Sequence, residues 1–227
     1  MAAELVMMSR KPNLGRYDTM KIRLVIGALA VAFWAGVGQA AEQETHEVDM
    51  AAGEQKAQQV CQACHGPQGN SVVPIWPKLA GQHPDYIYKQ LKAFKSGERV
   101  NEQMSPMAAP LTEQDMRNVA AYFAAQTQSD GAASADAEGL GKRIYLAGNN
   151  ETGVPACTGC HGPKGMGLNL AKFPRVSGQH ADYLSKTLKD FRAGNRANDP
   201  NGMMRGVADR MTDDEIDAVA KYMQGAG

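Results

Sequence analysis

The stretches Cys-Gln-Ala-Cys-His at residues 61–65 and Cys-Thr-Gly-Cys-His at residues 157–161 decide how this chain of 227 residues folds. Each has the spacing of a c-type haem attachment site, in which two thiols bond to the vinyl groups of one porphyrin. The histidine that follows supplies an imidazole nitrogen as an iron ligand. A single match also fits a zinc half-site or a thiol redox pair. Two matches that use all four cysteines favour two covalently attached haem groups.

An internal duplication surrounds the two motifs. The pattern Cys-x-x-Cys-His-Gly-Pro-x-Gly begins at Cys61 and again at Cys157, and Pro-[Lys/Arg]-x-x-Gly-Gln-His-x-Asp-Tyr begins at Pro77 and again at Pro174. A run of small and polar residues lies between the copies and reads as a linker. We therefore predict an N-terminal extension and signal peptide at 1–40, a first domain at 41–126, a linker at 127–136 and a second domain at 137–227.

Both copies show helical periodicity in matching places. Apolar residues share one face of the helix after the haem loop and one face of the last helix. These faces carry Ile87, Leu91 and Phe94 with their counterparts Leu184, Leu188 and Phe191, and then Met116, Val119, Ala120 and Phe123 with Ile216, Val219, Ala220 and Met223. Thr112 and Thr212 are predicted N-caps, the second in a capping box with Glu215. No strand is convincing, so we predict an all-α fold in which each small domain wraps around a haem that supplements its core.

The N-terminal segment has the pattern of a secretory signal. Lys21 and Arg23 precede an apolar stretch at 24–37, and the small residues at 38–40 suit a cleavage site after Ala40. The apolar stretch is short for a membrane span, although an uncleaved anchor stays open. Because the first nineteen residues fit no signal pattern, we expect the true start at Met20. These features predict export across the cytoplasmic membrane, outside which bacterial c-type haem is attached.

Charge is shared unevenly between the copies. Residues 41–130 hold 7 basic and 11 acidic side chains, whereas residues 131–227 hold 12 basic and 11 acidic ones. This asymmetry predicts a dipolar molecule that orients on a charged partner, although two solvated surfaces fit the same counts. Acidic surroundings favour ferric iron, so we expect the N-terminal haem to have the lower reduction potential. Nothing in the sequence suggests nucleic-acid binding.

A second axial ligand decides between carrier and catalyst, because an iron with an open position permits oxygen or peroxide chemistry. The candidates are Met104 and Met107 in the first copy and Met203 and Met204 in the second. Aligned on the final helices, only Met104 and Met204 place methionine in both copies, and we predict them as the ligands. This alignment crosses a three-residue insertion in the second copy, so a slip of one position to Met203 stays open. The alternative that all four methionines only line the haem pocket, without binding iron, also stays open.

Two other pairs of residues occupy matching positions near the motifs. His83 and His180 are rival axial ligands, although each precedes a helix where a polar side chain more often caps or meets solvent. The carbonyls of Pro77 and Pro174 suit an acceptor for the other N–H of the proximal imidazole, which would fix its tautomer. The alternative is that these prolines only stiffen a loop.

The residues resemble the dihaem cytochrome c4 family. The resemblance rests on the two Cys-x-x-Cys-His motifs, the paired Pro-[Lys/Arg]-x-x-Gly-Gln segments, and Asn-Arg-x-Asn-Asp at 195–199 ahead of Met-Met-Arg-Gly-Val-Ala at 203–208. It covers about residues 49–225. It implies two tandem class I cytochrome c domains with haems facing across an interface and ligand pairs His65/Met104 and His161/Met204. The first copy's loop at 96–110 is short beside other members.

The resemblance also implies a function and partners. Such proteins are periplasmic, often loosely associated with the membrane, and carry electrons between the quinol-oxidising complex and terminal oxidases. We therefore expect an electron carrier rather than an enzyme, with no small-molecule substrate. Two alternatives remain: the cytochrome subunit of a periplasmic dehydrogenase, and a dihaem peroxidase, against which the two methionines argue. A haem-based gas sensor would need a vacant iron position and an output domain, and neither is recognisable.

Overall fold

A computed structural model describes residues 47–131 and 139–226 of the chain. The predicted signal peptide and its cleavage site lie outside the described residues, as does part of the predicted linker. The described residues belong to one compact unit. They form helices and loops, with two isolated β-bridges, Asn149–Val154 and Leu168–Phe173, as their extended pairings. The predicted all-α class is confirmed.

The first lobe begins with a helix that leads directly into the first haem motif. Helix α1 (Met50–Lys56) continues through a π-helical turn (Ala57–Cys61) into the short α2 (Gln62–His65). A loop with a 3-10 turn (Pro67–Gly69) then leads to the long helix α3. The remaining helices of this lobe are α3 (Pro84–Ser96), α4 (Met104–Ala108) and α5 (Glu113–Ala124).

The second lobe repeats this order with an added loop before its motif. Helix α6 (Leu140–Ala147) is followed by the residues of one β-bridge and then by α7 (Thr158–His161). Two short 3-10 turns lie at Asn169–Ala171 and Pro200–Gly202. The remaining helices are α8 (Ala181–Arg192), α9 (Met203–Ala208) and α10 (Asp213–Gly225).

The first and last helices of each lobe cross at a glycine. A Cβ on Gly53 would lie 2.3 Å from the carbonyl oxygen of Asn118, and one on Gly141 would lie 2.2 Å from that of Ala218. Only a residue without a side chain allows the two backbones to approach this closely. The crossing brings α1 against α5 and α6 against α10. In the first lobe the haem motif continues directly from this packed helix, whereas in the second lobe the added loop separates them.

All of the predicted apolar residues except Phe94 and Phe191 form one core in each lobe. Those two rings are buried against the guanidinium groups of Arg99 and Arg196. The buried side chains of α3 and α5 pack together in the first lobe, and those of α8 and α10 do so in the second. Both predicted N-caps are present, because the side chains of Thr112 and Thr212 accept from the backbone N–H of Asp115 and Glu215. Both caps are complete capping boxes, although the sequence pattern predicts only the second, because the first has Asp115 in place of Glu or Gln. These cores fix the helices that carry the candidate haem ligands.

Candidate haem sites

The two cysteines of each motif have different surroundings. Cys61 and Cys157 are half-buried and pack against the cores of their lobes, whereas Cys64 and Cys160 are exposed. All four thiols are free. Burial raises the pKa of Cys61 and of Cys157 to about 11, so neither is the low-pKa thiolate that a thiol redox pair needs. This electrostatic environment argues against the redox-pair alternative.

A proline carbonyl orients the histidine of each motif. The Nδ1 of His65 lies 2.8 Å from the carbonyl oxygen of Pro77, and the Nδ1 of His161 lies 2.9 Å from that of Pro174. Because a carbonyl oxygen only accepts, each Nδ1 carries the proton and each Nε2 keeps its lone pair. Burial lowers the pKa of both histidines, against the opposing effect of these hydrogen bonds, which favours the neutral imidazole. The predicted hydrogen bonds from these two histidines to the proline carbonyls are present.

The predicted methionine ligands begin or nearly begin the short helices α4 and α9. Met104 and Met204 are both half-buried and pack against the core of their own lobe. Their neighbours Met107 and Met203 are 45% and 40% exposed. Burial thus distinguishes the pair that the repeat alignment selects from the two methionines that it rejects.

Polar side chains that no sequence motif indicated hold these short helices in place. In the first lobe, Asn101 Oδ1 accepts from the backbone N–H of Met104 at 2.8 Å. In the second lobe, the buried carboxylate of Asp199 accepts from the backbone N–H of Arg205 at 3.0 Å and from its Nε at 2.9 Å. Burial works against ionisation of Asp199, but these hydrogen bonds outweigh it and lower the pKa of the carboxyl. Each methionine therefore sits on a helix start fixed by an Asx side chain.

The side chains of His83 and His180 are partly exposed and bond to the opposite lobe, and neither caps the helix that it precedes. The Nε2 of His83 lies 2.8 Å from the carbonyl oxygen of Met166, and the Nε2 of His180 lies 2.9 Å from that of Ser71. Each Nε2 therefore donates a proton to a carbonyl and lacks a free lone pair. The structure thus places both side chains in contacts between the lobes.

Further side chains meet between the lobes in a nearly symmetric arrangement. Arg99 of the first lobe donates to the hydroxyl of Tyr183 at 3.3 Å, and Arg196 of the second donates to that of Tyr86 at 2.9 Å. Both arginines also donate to the buried amide oxygen of Gln90. Arg99 and Arg196 occupy matching positions in the duplication, so the sequence could have indicated that the two side chains play the same role. Periodicity within one copy gave no indication that their partners lie in the other.

The donor set suits haem better than a bare metal ion. Among residues 47–131 and 139–226, no group of three or more His, Cys, Asp or Glu side chains is placed to hold a metal ion. A free thiol pair followed by an imidazole with its Nε2 lone pair available is the donor set that haem c uses. The buried indole Nε1 of Trp76 also finds no partner in the part of the chain that is described. A buried donor of this kind fits the polar edge of a porphyrin beside the Pro77 loop.

Two helical lobes, each with a histidine oriented by a proline carbonyl and a half-buried methionine nearby, define a c-type cytochrome with two haem-binding domains. The family model for cytochrome c matches residues 50–126 and again residues 140–227. A cytochrome c4 from Thiocapsa roseopersicina is 62% identical over 178 residues, which cover 78% of this chain and 92% of the relative. The chain belongs to the cytochrome c4 family. It is an electron-transfer protein that carries two covalently bound haem c groups.

Two further similarities bear on structure and partners. The crystal structure of reduced recombinant cytochrome c4 from Pseudomonas stutzeri superposes with a TM-score of 0.77 at 43% identity, covering 80% of this chain and 100% of that one. A protein named thiosulfate dehydrogenase electron acceptor, from Stutzerimonas stutzeri strain A1501, is 43% identical over 179 residues. That match covers 77% of this chain and 82% of the relative. The described residues include no helix that is long and apolar enough to cross a membrane.

Proposed function

We propose that this chain is a periplasmic carrier that passes electrons between the quinol-oxidising complex and terminal oxidases. Its two haems are attached at Cys61 with Cys64 and at Cys157 with Cys160. The iron ligands are His65 with Met104 in the first domain and His161 with Met204 in the second. With both axial positions closed by side chains, only electrons enter and leave.

The observation that carries this proposal is the pairing of an oriented histidine with a half-buried methionine in each lobe. The hydrogen bonds of His65 and His161 to proline carbonyls leave their Nε2 atoms available as ligands. Met104 and Met204 are the methionines that pack inward, whereas their neighbours are exposed. The rival ligands His83 and His180 each donate a hydrogen bond from Nε2 to a carbonyl of the other lobe. This favours methionine as the second iron ligand. Methionine ligation raises the reduction potential into the range of a respiratory carrier.

The carrier role is tested by electron transfer with isolated complexes. Purified quinol-oxidising complex with quinol is expected to reduce both haems, and a terminal oxidase is expected to reoxidise them within the turnover time of the oxidase. A matched reaction with Met204→Ala protein is expected to lose transfer through the second haem. Failure of the quinol-oxidising complex to reduce the haems, or of the terminal oxidase to reoxidise them, at every ionic strength tested would contradict the proposed partners.

A second candidate function is the electron acceptor of a dehydrogenase. It is favoured by the similarity to a protein named thiosulfate dehydrogenase electron acceptor. The chain would then receive electrons from a catalytic centre on another polypeptide. Rapid reduction by thiosulfate dehydrogenase with thiosulfate, without reduction by the quinol-oxidising complex, would favour this role over the respiratory one.

The domain boundaries and the export of the chain belong to the same proposal. The family-model matches at residues 50–126 and 140–227 support domains at 41–126 and 137–227 with a linker at 127–136. Periplasmic location follows from haem c attachment together with the signal pattern at 20–40, and the expected contact with the membrane is loose and peripheral. Mass spectrometry of the mature protein is expected to give a chain that begins at Ala41 and carries two haems. A mature chain that retains the apolar segment would contradict the cleavage.

A further inference from the structure

The carbonyl that orients each proximal histidine belongs to a peptide group that also contacts the other lobe. The carbonyl of Pro77 and the N–H of Lys78 are the two ends of one peptide group. The carbonyl oxygen accepts from His65 Nδ1 at 2.8 Å, and the N–H donates to Gln179 Oε1 at 2.8 Å. A continuous hydrogen-bonded chain therefore runs from the second lobe to the histidine of the first.

The second lobe contains the reciprocal chain. The peptide group between Pro174 and Arg175 accepts from His161 Nδ1 at 2.9 Å and donates to Gln82 Oε1 at 2.9 Å. Each glutamine also makes a second hydrogen bond, to the carbonyl of the residue whose N–H it accepts from. Gln179 Nε2 donates to the carbonyl of Lys78 at 2.8 Å, and Gln82 Nε2 donates to that of Arg175 at 2.8 Å. These second bonds fix which end of each side-chain amide faces the peptide N–H.

The glutamines of both chains are shielded from water, and so is Lys78 in the first chain. Gln82, Gln179 and Lys78 are 8%, 5% and 5% exposed. In such surroundings hydrogen bonds in series polarise one another. When the amide N–H donates to a glutamine oxygen, the carbonyl at the other end of the peptide becomes a stronger acceptor. A stronger acceptor on Nδ1–H raises the basicity of the imidazole at Nε2, which favours ferric over ferrous iron when haem is bound.

We propose that Gln82 and Gln179 are positioning residues, each of which tunes the haem site of the opposite lobe through the peptide group that holds its proximal histidine. This inference rests on the proposed role of His65 and His161 as iron ligands. It gives the duplicated Gly-Gln-His segment a function that neither lobe has alone. It also makes both reduction potentials sensitive to how tightly the lobes contact each other.

The test is Gln179→Met in the full-length, haem-loaded protein, because methionine keeps the side-chain length but accepts no comparable hydrogen bond. The reduction potential of the haem held by His65, in the other lobe, is expected to rise, and the Nδ1–H proton of His65 in the reduced protein is expected to shift upfield. The haem held by His161 is expected to stay unchanged. Gln82→Met is expected to give the mirror result.

A matched control is Tyr86→Phe, which removes the hydroxyl that accepts from Arg196 across the same interface. Both potentials and both Nδ1–H resonances are expected to stay at their original values in this variant. If a glutamine-to-methionine variant fails to take up haem, Gln179→Asn and Gln82→Asn replace it. Asparagine keeps an amide in place but is one methylene too short to reach the peptide N–H.

The inference is overturned by a shift confined to the haem of the substituted lobe, by equal shifts of both haems, or by the same shift in Tyr86→Phe. The methionine-to-iron band of the unsubstituted protein reports the axial ligands separately. Its absence would refute the proposed ligands, whereas a normal band with unchanged potentials in Gln179→Met and Gln82→Met would refute only the role of the glutamines.

Discussion

The axial methionines are the single residues on which the chemistry depends. Met104 and Met204 lie on helices of five and six residues. Each helix is held in place by packing against the core and by a hydrogen bond to an Asx side chain. Such short helices have little stability of their own. Their position is therefore maintained by tertiary contacts, and it determines whether the iron remains closed to small ligands.

Replacing either methionine with alanine is expected to open one iron. In Met204→Ala the potential of the second haem should fall by a sizeable part of the roughly 0.8 V range that axial ligands span, and carbon monoxide should bind the reduced protein. Electrode titration and carbon monoxide difference spectra measure both effects. The exposed neighbour provides the control, because Met203→Ala should leave the spectrum and potential unchanged. If Met203→Ala changed the spectrum and potential while Met204→Ala did not, the iron ligand would be Met203.

At the level of helices, the glycine crossings position each motif relative to its core. Gly53 and Gly141 allow the first helix of each lobe to touch the backbone of the last. The capping boxes at Thr112 and Thr212 then fix where the last helix begins. Neither crossing has room for a methyl group.

Gly141→Ala is expected to destabilise the second lobe by about 1–3 kcal/mol, the usual cost of overpacking, since its Cβ would meet the backbone of Ala218. Denaturant unfolding followed by circular dichroism measures the loss. Gly206→Ala is the matched control, because a Cβ at this helical glycine meets nothing within 4 Å. That variant should be neutral or slightly stabilising. Equal stability of the two variants would contradict the role of the crossing.

The buried Glu215 carboxylate makes the start of the last helix sensitive to acid. It accepts from Asn149 Nδ2 at 2.7 Å and from the Thr212 backbone at 2.9 Å. Burial raises its pKa, but these hydrogen bonds outweigh burial and lower the pKa overall. A lowered pKa in the folded state contributes stability above the ordinary glutamate value of about 4.3, and this contribution is lost as the pH falls through the lowered value.

Glu215→Gln should therefore be less stable than the unsubstituted protein at pH 7, with the difference shrinking on acidification below about pH 4. Denaturant titrations at several pH values measure this dependence. Asp214→Asn is the control, since that carboxylate lies exposed in the same helical turn. A stability difference that does not change with pH would show that the carboxylate acts only by packing.

For the whole molecule, the sequence was most informative within each copy and least informative between the copies. The duplication, the attachment motifs, the buried helix faces and the proline carbonyls could all be predicted, because each depends on neighbours within about one helix or one loop. The contacts of Gln82, Gln179 and the paired arginines join residues about a hundred positions apart. No periodicity encodes such partners, although the repeated Gly-Gln-His segment marked where they would lie.

The uneven charge of the two domains predicts an order for the haem potentials. The first domain carries the acidic excess, and negative charge stabilises the ferric state, so the N-terminal haem should have the lower potential. Titration of the full-length protein, with haem methyl resonances assigned to each domain, measures both potentials. Salt should narrow the gap, because it screens exposed charges. The opposite order would show that hydrogen bonding at the ligands outweighs surface charge.

The optical spectrum of the oxidised protein tests the central claim, that two irons are each closed by a histidine and a methionine of their own domain. If both irons are closed in this way, the oxidised protein shows a weak methionine-to-iron band at the red end of the spectrum with the intensity of two haems, and the reduced protein does not bind carbon monoxide. A high-spin spectrum, a band with the intensity of one haem, or rapid carbon monoxide binding would contradict it.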